Sequence, residues 1–145
     1  MPELPTRMLV VAPSGAGKTV LLVSLVLDIY PKAFARIYIF SPSVHIDRQW
    51  DAVKEFQSKQ MGVDDKKEKL YFDNFSPGDL QMVIDQQARI TQLAKTKGMK
   101  KLYQILIILD DIADDPKITR QAKPVHELFV ITASAPLQAC RSTEC

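Results

Sequence analysis

The chain is 145 residues long, 46% apolar and 25% charged, with a formal net charge of +2. Those values suit one modest globular domain and exclude a disordered, fibrous or disulfide-stapled protein. So small a charge gives no argument for nucleic acid by itself. Nor is any apolar run long enough to cross a bilayer.

In chain order, a first strand is predicted at about Arg7 to Val11. It runs into Ala12-Pro13-Ser14-Gly15-Ala16-Gly17-Lys18-Thr19. Strand, glycine-rich turn and apolar helix form the context of a phosphate-binding loop. Glycines let backbone N–H groups face inward around a triphosphate. Pro13, Ser14, Gly15, Ala16, Gly17, Lys18, Thr19 and Val20 are the candidate nucleotide-binding residues. Lys18 is expected to reach the β- and γ-phosphates, with a catalytic role, and the Thr19 hydroxyl to ligate Mg²⁺. Ala12 stands where this pattern usually has glycine.

The helix after the loop is predicted from Lys18 to Tyr30, stopping at Pro31. Its apolar residues lie all round, so burial against a sheet is expected. A second strand is predicted at Arg36 to Phe40, ended by Ser41-Pro42-Ser43. A helix follows, about Asp47 to Ser58, with Trp50, Val53 and Phe56 as core contacts. Lys59 to Lys69 is highly charged and reads as an exposed loop. Ser76-Pro77-Gly78-Asp79 reads as a helix start with Ser76 as cap, and that helix is expected to end near Gly98.

Ile105-Leu106-Ile107-Ile108-Leu109-Asp110-Asp111 is an aliphatic run ending in acid. It predicts a parallel strand buried on both faces, with its carboxylates at the sheet edge where ligands bind. This is a Walker B pattern. Asp110 is expected to hold Mg²⁺ through water, because Mg²⁺ keeps much of its hydration shell, and Asp111 to orient and activate the attacking water. A short helix at Pro124 to Leu128 and a strand at Phe129 to Ala133 complete the reading. The expected fold is an α/β, three-layer P-loop sandwich with a mostly parallel sheet. It forms one domain over residues 1–145, in which 131–145 is an irregular tail. The spacing between the two motifs suits ATPases with another strand inserted between them, and no guanine-reading Asn-Lys-x-Asp run is present. Cys140 and Cys145, with His45 and His126 far away, make no metal spacing. A reducing compartment is expected.

The P-loop, the Ile-Tyr-Ile-Phe-Ser-Pro-Ser segment with downstream Trp50, and Ile-Leu-Ile-Ile-Leu-Asp-Asp-Ile-Ala-Asp-Asp together resemble a known family. They are similar to the DNA-packaging ATPases of poxviruses and other nucleocytoplasmic large DNA viruses, in the FtsK–HerA superfamily. The resemblance covers about Leu4 to Val130. It implies an ATP- and Mg²⁺-dependent motor subunit that moves double-stranded DNA. It also implies a homo-oligomeric ring, no membrane, and a place inside the host cell, in a viral factory or in the virion. Lys18, Thr19, Asp110 and Asp111 match the family's phosphate, metal and catalytic positions.

The Gly-Arg-His segment expected after the acidic string is absent. Gln138 is the candidate for a displaced polar sensor, and Arg120 reads as a surface arginine. A fragment, or a reading frame that diverges near Val130 after the fourth core strand, is therefore expected. Such a chain should bind ATP and turn it over slowly or not at all. Lys66, Lys67 and Lys69, and Lys95, Lys97, Lys100 and Lys101, are basic clusters that read first as solvated faces and second as DNA contacts. The alternatives are a P-loop small-molecule kinase, for which no arginine-rich lid is visible, and a non-catalytic remnant.

Overall fold

Two aliphatic and aromatic runs of five residues set the architecture, because β-branched and aromatic side chains pack well on a pleated surface. The computed structural model describes residues 15–100 and 103–111. Its elements are α1 (Lys18–Ser24), which passes into a π-helical turn (Leu25–Ile29), β1 (Arg36–Phe40), α2 (Gln49–Gln60), β2 (Tyr71–Phe72), α3 (Pro77–Thr96) and β3 (Ile105–Leu109). The strands form a parallel sheet in the order β2-β1-β3.

Arg36 pairs with Ile105 and Phe40 with Leu109, so β1 and β3 end level with one another. The chain moves from β1 one way to β2 and then back past β1 to β3. Right-handed crossovers therefore assign α2 and α3 to opposite faces. Burial agrees: Ile37, Tyr38, Ile39 and Phe40 are all buried, although neighbours along a strand point to opposite faces. The fold is α/β with a parallel sheet, as the alternating pattern predicts. The strands predicted at Arg7 to Val11 and Phe129 to Ala133, and the helix at Pro124 to Leu128, lie outside the described residues.

Trp50 and Val53 are buried in the core, as expected from their helical spacing, and Phe56 is half-buried. Full burial leaves the Trp50 ring no open face on which a nucleic-acid base could stack. Phe40 stacks on Phe72 with centroids 4.3 Å apart, and Phe75 meets Phe40 edge-on. The Ser76 hydroxyl accepts the Asp79 N–H at 3.4 Å, and Pro77 opens α3. Gly98 turns the chain out of that helix with φ 67°.

Three expectations need correction. The helix after the glycine turn is not buried all round: Val20 and Leu21 are about half exposed, and only Leu25 and Val26, in its π-helical turn, are buried. Lys59 and Gln60 belong to α2, and the segment beyond it is not simply an exposed loop. Val63 is buried there, and Glu68 makes a two-pronged ion pair with Arg36 at 2.7 and 3.0 Å. Finally, β2 is a strand the sequence pattern does not show.

Candidate functional site

β1 and β3 both deliver chain to the same edge of the sheet, and the next residue of each strand is buried and polar. Ser41 follows β1 and Asp110 follows β3. The Asp110 N–H donates to the Phe40 carbonyl at 2.9 Å, which extends the parallel pairing one residue beyond the strand and fixes Asp110 beside Ser41. The Ser41 Oγ–H donates to Asp110 Oδ2 at 3.3 Å. Ser41 Oγ in turn lies 3.1 Å from Ser43 Oγ and accepts the Ser43 N–H at 3.3 Å.

Asp110 is 6% exposed, and burial pushes its carboxyl above the usual carboxylate range. The Ser41 hydrogen bond opposes that rise. The negative charges of Asp111 and Asp47 add to it, and the Lys18 ammonium works against it. Lys18 is thus close enough to act on Asp110, although the two stand far apart in sequence. Asp110 is thus a buried carboxylate hydrogen-bonded to one hydroxyl, with its charge felt by Lys18, Asp111 and Asp47.

Gly15 and Gly17 are both left-handed, with φ 77° and 82°. A Cβ on either would meet nothing within 4 Å, so backbone conformation, not crowding, demands glycine here. Gly17 caps α1, and its carbonyl accepts the Leu21 N–H at 3.0 Å. Lys18 and Thr19, both half-buried, open the helix, where backbone N–H groups have no intrahelical partner. Ala16 is exposed and Val20 is about half exposed. Pro13 and Ser14 lie outside the described residues, as do Arg120, Gln138, Lys101, both cysteines and His126.

Asp111 is exposed and left-handed at φ 53°. Aspartate tolerates that conformation better than most side chains. The structure therefore gathers Lys18, Asp110 and Asp111 at one end of the sheet. Sequence reasoning quoted Ser41 and Ser43 without a role and missed Asp47. A hydroxyl placed level with a buried acid on the next strand becomes visible only once the pairing register is known.

The donor set accords with magnesium held partly by a nucleotide. Mg²⁺ usually takes one or two carboxylates, water and phosphate oxygens, rather than an all-protein cage. Among the described residues no group of three His, Cys, Asp or Glu side chains forms such a cage. The basic side chains Lys66, Lys67, Lys69, Lys95, Lys97 and Lys100 are exposed. Lys67 pairs with Asp64 at 3.4 Å, and the Lys69 ammonium sits 4.7 Å from the Phe72 ring centre. Among the described residues no helix is long and apolar enough to cross a membrane.

No curated protein and no solved structure matches the chain. One family model, described as poxvirus A32 protein, matches residues 1–128 of the 145. That span contains the glycine turn, the Ser-Pro-Ser segment and both acids of the site. The chain belongs to the poxvirus A32 family of viral DNA-packaging ATPases.

Proposed function

We propose that this chain is an ATP-binding and ATP-hydrolysing subunit of a motor that packages double-stranded viral DNA. The reading is supported by the buried Asp110, fixed beside Ser41 at the edge where β1 and β3 end, together with the left-handed glycine turn that leads into α1 and Lys18. Phosphoryl transfer needs a phosphate-binding lysine near a metal-binding acid, and the effect of Lys18 on Asp110 supports giving them those roles.

In this reading the turn of Gly15 to Gly17 offers backbone N–H groups to the phosphates, with Pro13, Ser14 and Val20 flanking it. Lys18 holds the transferring phosphate. Thr19 and Asp110 hold the cation. Bound Mg²⁺-ATP supplies the phosphoryl group and the charge that neutralises its oxygens. Asp111 positions the attacking water and takes its proton, a role its exposure permits. Ring assembly and DNA contact, at the Lys66–Lys69 or Lys95–Lys101 clusters, belong to the proposal through the family. The place of action is the infected cell or the virion.

Lys18→Ala tests the reading. Hydrogen bonds to charged groups contribute roughly 1.5–3 kcal/mol each, so the variant is expected to lose at least tenfold in affinity for a fluorescent ATP analogue. Unchanged affinity in a folded variant would remove the P-loop assignment.

A further inference from the structure

The Ser41-Pro42-Ser43 segment is the part of the site that the proposed function leaves without work. Ser41 is fully buried and is carried to Asp110 by the level ends of β1 and β3. The single proton of its hydroxyl goes to Asp110 Oδ2. The Ser41–Ser43 hydroxyl contact must then be donated by Ser43. The order is fixed: Ser43 hydroxyl to Ser41 hydroxyl to Asp110 carboxylate. Chains of this kind polarise one another.

The segment that holds these serines is itself tightly wound. The Val44 N–H donates to the Ser41 carbonyl, and the Ile46 and Asp47 N–H groups both donate to the Ser43 carbonyl, at 3.1, 2.9 and 2.8 Å. The Asp47 carboxylate accepts the Gln49 N–H at 2.9 Å, which ties the turn to the start of α2. A rigid turn can therefore set the direction of the carboxylate.

Resting on the ATPase reading above, we propose that Ser41 is the positioning residue for Asp110. It occupies one carboxylate oxygen, so that the acid offers the other to the magnesium ion, and Ser43 supports it from behind. Partners that orient a metal-binding side chain typically affect metal affinity by tenfold or more. Ser41 touches neither nucleotide nor metal in this account, so its effect is confined to the metal-dependent part of binding.

The experiment measures affinity of the full chain for a fluorescent, non-hydrolysable ATP analogue, once with EDTA and once with saturating Mg²⁺. The ratio of the two affinities is the gain due to the cation. Ser41→Ala is expected to cut that gain about tenfold while leaving the EDTA affinity within about twofold. Ser41→Thr, which keeps the hydroxyl, should restore it. An unchanged gain in Ser41→Ala overturns the proposal, as does an equal fall with and without Mg²⁺, which would mark a merely structural role. Emission from the buried Trp50 reports folding. If Ser41→Ala fails to fold, the half-buried Ser43→Ala decides: a reduced gain with unchanged EDTA affinity supports the relay, and an unchanged gain overturns it. A wild-type chain that binds no analogue under either condition would defeat the ATPase reading itself, whereas failure of the serine variants alone defeats only this inference.

Discussion

The side chain of Gln57 pairs with both backbone groups of Ile37. Its Oε1 accepts the Ile37 N–H at 2.9 Å, and its Nε2 donates to the Ile37 carbonyl at 3.0 Å. Farther along the same edge of β1, the Ile39 and Ser41 N–H groups donate to the Leu70 and Phe72 carbonyls. β2 is too short to reach Ile37, and the helix supplies an amide where the strand runs out. A third bond, from Gln57 Nε2 to the Tyr71 hydroxyl at 2.9 Å, ties this plug to β2.

Gln57→Ala would leave a buried N–H and a buried carbonyl without partners and open a small void. Each stranded group costs about 1–3 kcal/mol, so a loss of about 3 kcal/mol in urea unfolding is expected. Gln57→Glu should recover little, since a carboxylate accepts from Ile37 N–H but cannot donate to its carbonyl. A loss below about 0.5 kcal/mol for the alanine variant would show that water or β2 takes over the edge.

Asp110→Asn should stabilise the fold and, on the function proposed above, weaken the metal-dependent part of nucleotide binding. The wild-type carboxyl is raised above its ordinary value of 3.8, mainly by burial. The folded protein therefore holds that proton more readily than the unfolded one. Stability is gained as pH falls into the carboxylate range and lost as pH rises through the raised value, so the full cost is present at neutral pH. The neutral asparagine removes it. Without nucleotide at pH 7, the variant should be more stable by about 1 kcal/mol, and the difference should close towards pH 4. A thermal melt series across pH measures this. A less stable variant at pH 7 would show that the Lys18 attraction outweighs burial.

Asp111→Asn should keep fold and ATP-analogue affinity, because asparagine accepts the left-handed backbone as well as aspartate does. Whatever slow hydrolysis the chain supports should fall by at least tenfold, general-base contributions being of order 10²–10⁴. Asp111→Val, by contrast, should also lose about 1–2 kcal/mol of stability from backbone strain. Phosphate release and a urea titration on both variants separate chemistry from strain. Equal turnover in Asp111→Asn would pass the role to another acid.

Much of the described fold was legible in the sequence because its signals are local. The Arg36–Phe40 and Ile105–Leu109 runs are apolar on both faces, and Ser76-Pro77 starts α3 where cap chemistry demands. Lys18, Asp110 and Asp111 could be nominated from motif and spacing alone. β2 escaped because Tyr71 and Phe72 form two residues of strand between Lys69 and Asp73, too few to show a period. Gln57 escaped because a polar residue on a helix reads as solvent-facing, and its burial depends on an edge left open by another element. Ser41 escaped as a partner of Asp110 because their contact depends on the register of two strands separated by most of the domain. The helix after the glycine turn read as buried because composition reports how apolar a segment is, not how much neighbouring structure covers it.

The π-helical turn at Leu25–Ile29 closes with the Tyr30 N–H on the Leu25 carbonyl at 2.9 Å. Such a turn holds one residue more than an α-helical turn of the same span. The helix thus has slack at its far end, next to Pro31, while its first turn keeps ordinary pitch. Changes in chain length between this helix and β1 can be absorbed there as a gain or loss of that extra residue, leaving the glycine turn and its lysine in place.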